Sequence, residues 1–548
     1  MGARDAWAIA TLLCLAAPTA AAGASSLRDE ARRADSTFAD TVLTLPEVRV
    51  IERRVIEAER RIPTAFTSEI RPGARGGALD LLPELLSAVP GVHVQQYGGL
   101  GAFSVMSMRG SSPGQVAVFL DGMPLTSAAR GVVNLGALPI SAVEKIEVYR
   151  GPTPLAFGLA GPGGAIDLVT PHGTVAPELR VARGSFDTWD ARGFASRAIG
   201  RWSGWLHAGY QGSRGDFAYL DDNATPFNAG DDRVVTRANN RFDALTGAAS
   251  IGWRPRDDFR IDGRGEWRAQ RQGAPGLGSL PTLHTSLATA FGIGQVEAVL
   301  EGRGWARPRL ALRAARDRTC SRFEDPFAEL GLGTHDTDDR LGADQLELHL
   351  DWDHLPGALA LESGGTLRHE DATLRDDADA WPDPASSVRR RAGGALGVSF
   401  RPWNERVLLH AGERWERLRD ALRSVGVGGI ERASDVDRAL HAPQLGARVL
   451  PGLGLELKAN WSKADRAPDF LELFGNQGTV LGNPALLPER LESWDAGAGW
   501  SAPTREPWRA SLRWAHFESR ARDLILYTRN SPSTVRAMNV SAARVRGE

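Results

Sequence analysis

Few residues in this sequence stand at a spacing that would support covalent chemistry. Around Cys320 the stretch "DRTCSRFEDP" holds no histidine to serve as base or co-ligand. The eleven histidines are scattered, with no His-Glu-x-x-His pair. The glycines of "GPGG", 161–164, lack the following Lys-Ser/Thr that a phosphate loop needs. Acidic clusters at Asp221-Asp222, Asp336 to Asp339 and Asp376 to Asp383 offer oxygen atoms, of which calcium takes roughly six to eight. Their spacing fits no standard calcium loop, and they read as solvated loops. No catalytic residue, cofactor or metal site is assigned. What remains is positional chemistry. Asp121-Gly122 ends an apolar run, and glycine reaches positive φ without a steric penalty, so this pair predicts a hairpin turn.

The elements that must hold these residues are set first by compartment. Arg4 precedes an apolar stretch, Ala6 to Ala17, that is too short for a spanning helix of roughly 20 residues. Ala20-Ala21-Ala22 then offers a small-x-small cleavage pattern, so residues 1–22 read as a secretory signal peptide. Cys14 lies within it, which leaves Cys320 alone and excludes an internal disulfide. The formal charge of −2 gives no reason to invoke nucleic acid. No later segment is apolar enough for a transmembrane helix, so an exported chain of 548 residues is either a soluble fold or a β-barrel.

Residues 23–46 are polar and read as a flexible periplasmic arm. The stretch 47–172 reads as a compact α+β unit. Leu79, Leu82, Leu86 and Val89 share a helical face with Pro83 near the first turn, and Ile146 and Val148 alternate with Lys145, Glu147 and Tyr149 as in a half-buried strand. After about residue 173 the period changes to two. Leu346, Leu348, Leu350 and Trp352 alternate with polar neighbours, as do Leu455, Leu457, Ala459 and Trp461, and again Trp494, Ala496, Ala498 and Trp500. Strands of that length and period, with tryptophan at their ends, suit lipid outside and water inside.

At this point the residues resemble a known family. "LPEVRV", "LLSAVPGVHVQQYG", "SMRGSSPGQVAVFLDGMPL" and "NLGALPISAVEKIEVYRGPTPLAFGLAGPGGAIDLVT" are similar to the plug of TonB-dependent outer-membrane receptors of the siderophore or cobalamin type. "RAPDFLELFG" and "GNPALLPERLESWDAGAGW" resemble pieces of that family's barrel. The resemblance implies a mainly β fold, an N-terminal α+β plug inside an antiparallel transmembrane β-barrel of 22 strands in the family. It implies residence in the cell outer membrane of a Gram-negative-type bacterium, as a monomer among outer-membrane lipid and lipopolysaccharide. The ligand it implies is a scarce metal chelate, a ferric siderophore or cobalamin. Energy would come from TonB and its inner-membrane complex, through an extended TonB box adding a strand to a partner's sheet. Two boxes compete: "DTVLT", 40–44, and "EVRVI", Glu47, Val48, Arg49, Val50 and Ile51, the second favoured because it directly follows "LP". In the resemblance Arg109 and Arg150 pair with barrel-wall carboxylates, and Glu147 is an alternative partner within the plug.

Residues 173–548 have room for about 14 to 18 strands at the length of a bilayer crossing, so the barrel is read as partial and the chain as C-terminally truncated. Two other functions stay open. A ligand-sensing outer-membrane signal transducer would carry an extra folded domain before the box. A barrel remnant would not transport at all.

Overall fold

The computed structural model describes residues 62–548, apart from 73–80, 127, 129–130, 139–141, 159–160, 172–175, 226, 304–306, 332–333, 376–384, 404, 427–429, 476–479, 503–509 and 532–533. The signal peptide, the arm, both candidate TonB boxes and the acidic run 376–383 therefore lie outside the described residues.

The N-terminal unit is built on a five-stranded sheet in the order β1-β6-β7-β4-β5. Its strands are β1 (Phe66–Ile70), β4 (Val116–Leu120), β5 (Met123–Pro124), β6 (Lys145–Arg150) and β7 (Gly164–Val169), and only β4 and β7 run parallel. A separate hairpin pairs β2 (Val92–Gln96) with β3 (Ser104–Met108). The helix α1 is short, Leu82–Ser87, with Pro83 in its first turn, where no intrahelical donor is needed. Leu82, Leu85 and Leu86 pack on Val116, Val118, Ile146, Val148, Ile166 and Leu168.

The turn at Asp121-Gly122 takes the expected form. Both residues have positive φ, 51° and 78°, which matches the twist of the flanking strands. The expectation of a half-buried β6 is corrected: Lys145 through Tyr149 are all buried. This strand is central, and its second face is covered by Phe119, Phe157 and Ala165 rather than by water. Its charges are satisfied within the plug. Lys145 Nζ lies 2.7 Å from Glu147 Oε1, and the Tyr149 hydroxyl donates to Glu147 Oε2 at 2.6 Å.

The rest of the chain forms one closed barrel of eighteen strand segments among the described residues, against the family's 22 strands, antiparallel except where Val480–Leu481 pairs in parallel with Val535–Gly547, and a small separate hairpin of Ala218–Asp221 and Arg233–Thr236. Two segments, Ile430–His441 and Gln444–Gly452, follow one another along the same neighbour, and another, Val480–Leu481, is only two residues long. Register follows chain order from Glu178–Gly184 to Val535–Gly547. Inward positions are buried against the plug, while Leu346, Leu348, Trp494 and Trp500 face outward and are exposed. The connections are unequal. Turns such as 200–201, 257–258 and 453–454 close one end, and the long connections 214–241, 274–285 and 467–488 lie at the other. In outer-membrane barrels short turns face the periplasm and long loops face outside.

Candidate functional site

The plug is fastened to the barrel wall by polar contacts that join residues hundreds of positions apart. Arg109, with φ 48°, lies just beyond β3 and sends Nη1 to Asp495 Oδ2 at 2.6 Å. Its guanidinium also stands over the rings of Phe66, 5.7 Å away, and Phe517, 4.9 Å away. Asp495 takes a second bond from Asn460 Nδ2 at 2.8 Å, and the same amide donates to the Thr64 carbonyl at 2.9 Å. One node thus holds the plug's first strand and β3 to the strands Leu455–Arg466 and Glu489–Ser501.

Arg150 is placed differently from the sequence expectation. It donates to the Pro90 carbonyl at 2.9 Å, the Ser68 hydroxyl at 2.8 Å and the Thr67 carbonyl at 3.3 Å, all within the plug, and makes no close ion pair with the wall among the described residues. Burial, with Arg109 and Arg513 nearby, lowers its pKa to about 10. Asp495 also attracts its charge, but the close ion pair at that carboxylate is with Arg109. Glu147 likewise bonds Lys145 and Tyr149 within the plug, as described above.

The turn is seated as well. Asp121 accepts from the Thr170 amide and hydroxyl at 2.9 and 2.8 Å and faces Arg264 of the wall at 3.0 Å. The Gly122 amide donates to Asp167 at 2.9 Å. A side chain at Gly122 would meet Arg313 Nη1 at 3.0 Å, so both the φ and the space call for glycine.

A third set of contacts comes from the connection 467–488, which folds into the lumen. Its helix α2, Phe470–Phe474, is opened by a reciprocal capping box between Asp469 and Glu472, a pattern legible in "PDFLELF". The Phe470 amide donates to the Ala128 carbonyl of the plug at 2.6 Å, and the Gly131 amide donates to Asp469 at 2.8 Å. Arg466 bridges Glu472 and Glu489 at 2.8 and 2.7 Å, and Gln115 of the plug donates to Glu489 at 2.9 Å. Leu473 and Phe470 are buried with Ala128 and Ile525.

Sequence reasoning missed Asp495, Glu489, Asp469 and Asn460. The available signal was a carboxylate or amide on the inward side of an alternating strand, as in "SWDAGAGW".

The plug also offers a surface to the long-connection end. Between β2 and β3, Tyr97 and Phe103 stand 5.9 Å apart and are 60% and 46% exposed. This hairpin tip reaches the wall at Phe242, the first residue after the long connection 214–241. The loops there add exposed Phe217, Leu277, Leu280 and Phe327. Among the described residues no group of three His, Cys, Asp or Glu is placed to hold a metal. The acids of 221–222 and 336–339 make local bonds: Asp221 to the Asn223 amide, Asp336 to Arg322 and Asp338 to Arg340.

This arrangement of a plug inside a barrel agrees with the comparisons. Residues 77–165 match the TonB-dependent receptor plug domain, and residues 183–547 match the TonB-dependent receptor-like β-barrel. Among known proteins, the vitamin B12 transporter BtuB of Vibrio cholerae is 38% identical over 89 residues, a match spanning 16% of this chain and 15% of that transporter. Among solved structures, the copper transporter OprC superposes with a TM-score of 0.71 at 16% identity, covering 88% of this chain and 75% of its own. The alcaligin outer-membrane receptor FauA of Bordetella pertussis gives 0.64 at 15% identity, covering 88% and 76%. The family and these neighbours are outer-membrane receptors and transporters, not enzymes. With one family domain filling the lumen and the other forming most of the wall around it, this chain belongs to the TonB-dependent receptors.

Proposed function

We propose that the chain carries energised uptake of a scarce metal-chelate ligand, a ferric siderophore or cobalamin, across the outer membrane. The observation that carries this reading is the seated plug. A lumen filled by a folded domain and fastened through Arg109–Asp495, Asp121–Arg264 and Gln115–Glu489 blocks passive flow, so passage needs the plug to move. A passive pore has no use for such a stopper. The exposed pair Tyr97 and Phe103 offers flat apolar area to a ligand arriving from the loops, as large ring-bearing or aromatic chelates require. The outer membrane holds no ion gradient, so movement would be driven by TonB pairing with the segment 47–51.

The test is a proline in that segment. Val48→Pro removes a backbone donor from the added strand. Cells expressing it should bind labelled cobalamin or ferric siderophore as the parent does, while energised accumulation falls to background. The same change at Val42 decides between the two candidate boxes. If both variants accumulate ligand at the parental rate, TonB coupling through this arm is refuted.

A further inference from the structure

Outward-facing arginines occur in two kinds of arrangement on this barrel. On the strands Pro308–Asp325 and His335–Leu355 they face acids: Arg316 stands opposite Asp344 and bonds it at 3.0 Å, and Arg322 stands opposite Asp338 and bonds Asp336 at 2.7 Å. These are ladders of opposite charge that the sheet satisfies by itself. Elsewhere arginine faces arginine. Arg390 of Ala385–Phe400 lies directly opposite Arg419 of Val407–Gly426, and Arg490 of Glu489–Ser501 lies directly opposite Arg522 of Ser511–Arg529. Like charges in direct opposition destabilise a sheet.

Elsewhere the fold relieves such a clash with a carboxylate. Arg368 and Arg391 are opposite each other on the lumen side, and Glu370 bonds both, at 3.3 and 3.0 Å. Arg520 and Arg544 are opposite each other on the outer side, and Glu518 bonds both, at 2.8 and 2.6 Å. The two pairs above have no such bridge. Arg419 shares Asp437 with Arg417, at 3.4 Å. Arg390, Arg490 and Arg522 are exposed and make no close ion pair or hydrogen bond among the described residues; Asp465, opposite Arg490 on its other side, attracts its charge but stands beyond ion-pair distance.

Their height on the barrel supplies the missing partner. Each pair lies four residues beyond an exposed outward tryptophan, Trp415 or Trp494, toward the long-connection end. At about 3.3 Å per residue along a tilted strand, that is roughly 10 Å above the aromatic belt, where headgroups of the outer leaflet sit. We propose that Arg390/Arg419 and Arg490/Arg522 are two binding sites for a phosphorylated lipid of the outer leaflet, each phosphate bridging one arginine pair. A phosphate dianion supplies the shared acceptor that Glu370 and Glu518 supply elsewhere, and two guanidinium forks match its oxygens.

The test uses the full chain in neutral detergent with diphosphoryl lipid A as probe, and dephosphorylated lipid A and inorganic phosphate as controls. The parent should bind diphosphoryl lipid A at least about tenfold more tightly than the dephosphorylated form at roughly 0.15 M salt. The double variant R490Q/R522Q should lose about fivefold or more, R390Q/R419Q should do the same, and R316Q/R322Q should bind as the parent does. Thermal stability gives a readout that folding defects do not mimic. R522Q should raise the melting temperature in lipid-free detergent, by removing a like charge, and lower it relative to the parent when diphosphoryl lipid A is present. Unchanged lipid affinity in both arginine-pair variants overturns the proposal, as does a melting temperature that shifts the same way with and without lipid. Inorganic phosphate binding as tightly as the lipid overturns the assignment to the leaflet.

Discussion

Arg109 and Arg150 look interchangeable in sequence, since each precedes a glycine in the plug, yet the fold gives them different tasks. Arg109 reaches across the lumen to Asp495, and Arg150 stitches β1 and the turn at Pro90 to its own strand. Removing one partner of a buried pair costs about 3–5 kcal/mol, reduced where water reaches the site. Arg109→Ala should therefore loosen the plug in its seat and raise single-channel conductance in planar bilayers. Asp495→Asn should act in the same direction, and the double variant should cost less than the two single costs added, because neither charge is then left unpaired. Arg150→Ala should lower the plug's own stability with a smaller change in conductance. Equal conductance changes for Arg109→Ala and Arg150→Ala would contradict this division. Part of it was legible beforehand. A guanidinium beside glycine in the plug announces a positioned charge, but its partner at 495 lies 386 residues away, and nothing local to Arg109 encodes that contact.

At the scale of elements, the sequence carries whatever depends on near neighbours. The Asp121-Gly122 turn, the helix around Leu82 and Leu86, and the two-residue period of the barrel strands are written in local spacing and chirality. The burial of β6 was not, because Lys145 and Glu147 look solvent-facing until a neighbouring layer covers them. The inward fold of 467–488 was also hidden: its capping box is local, but its docking on Ala128 and Gly131 depends on the barrel bringing them together. That docking should depend on pH. Burial, followed by the charge of Asp469, raises Glu472 to about 7, and burial also raises Asp469. An acid whose folded pKa is raised binds more protons folded than unfolded, so stability falls as pH rises from the unfolded pKa toward the folded one. The seating of α2 should therefore be firmest below about pH 4.5, weaken through about pH 7 and stay constant above it. Amide exchange of Phe470–Phe474 should quicken across that window in the parent. Glu472→Gln should flatten the profile, and a parent profile that is flat, or slows as pH rises, would refute the assignment.

At the scale of the whole molecule, the question is where a pull on the arm would first be felt. The arm lies N-terminal to the described part of the plug, whose first strand β1 is an edge strand, paired among the described residues only with β6. Its pairing is antiparallel, beginning at Phe66 opposite Arg150, so tension from the N-terminal side opens the ladder one residue pair at a time. The central strands β6, β7 and β4 are joined on both edges and covered on both faces, and they would yield later. What resists the first opening is concentrated at one end of β1. Asn460 holds the Thr64 carbonyl, Arg109 lies over Phe66, and Arg150 holds Thr67 and Ser68. Each such bond contributes about 0.5–1.5 kcal/mol, and more where the group is charged, so the cluster sets the threshold for the first step. Pulling single molecules through the arm, with the barrel fixed, should give an early step that frees β1 alone. Its rupture force should fall in Asn460→Ala and Arg150→Ala and remain parental in Asp121→Ala, whose contacts to Thr170 and Arg264 lie at the far end of the sheet. A first step that releases the whole plug, or one whose force follows Asp121 rather than Asn460, would show that the plug yields as a unit and that the edge strand is not where coupling begins.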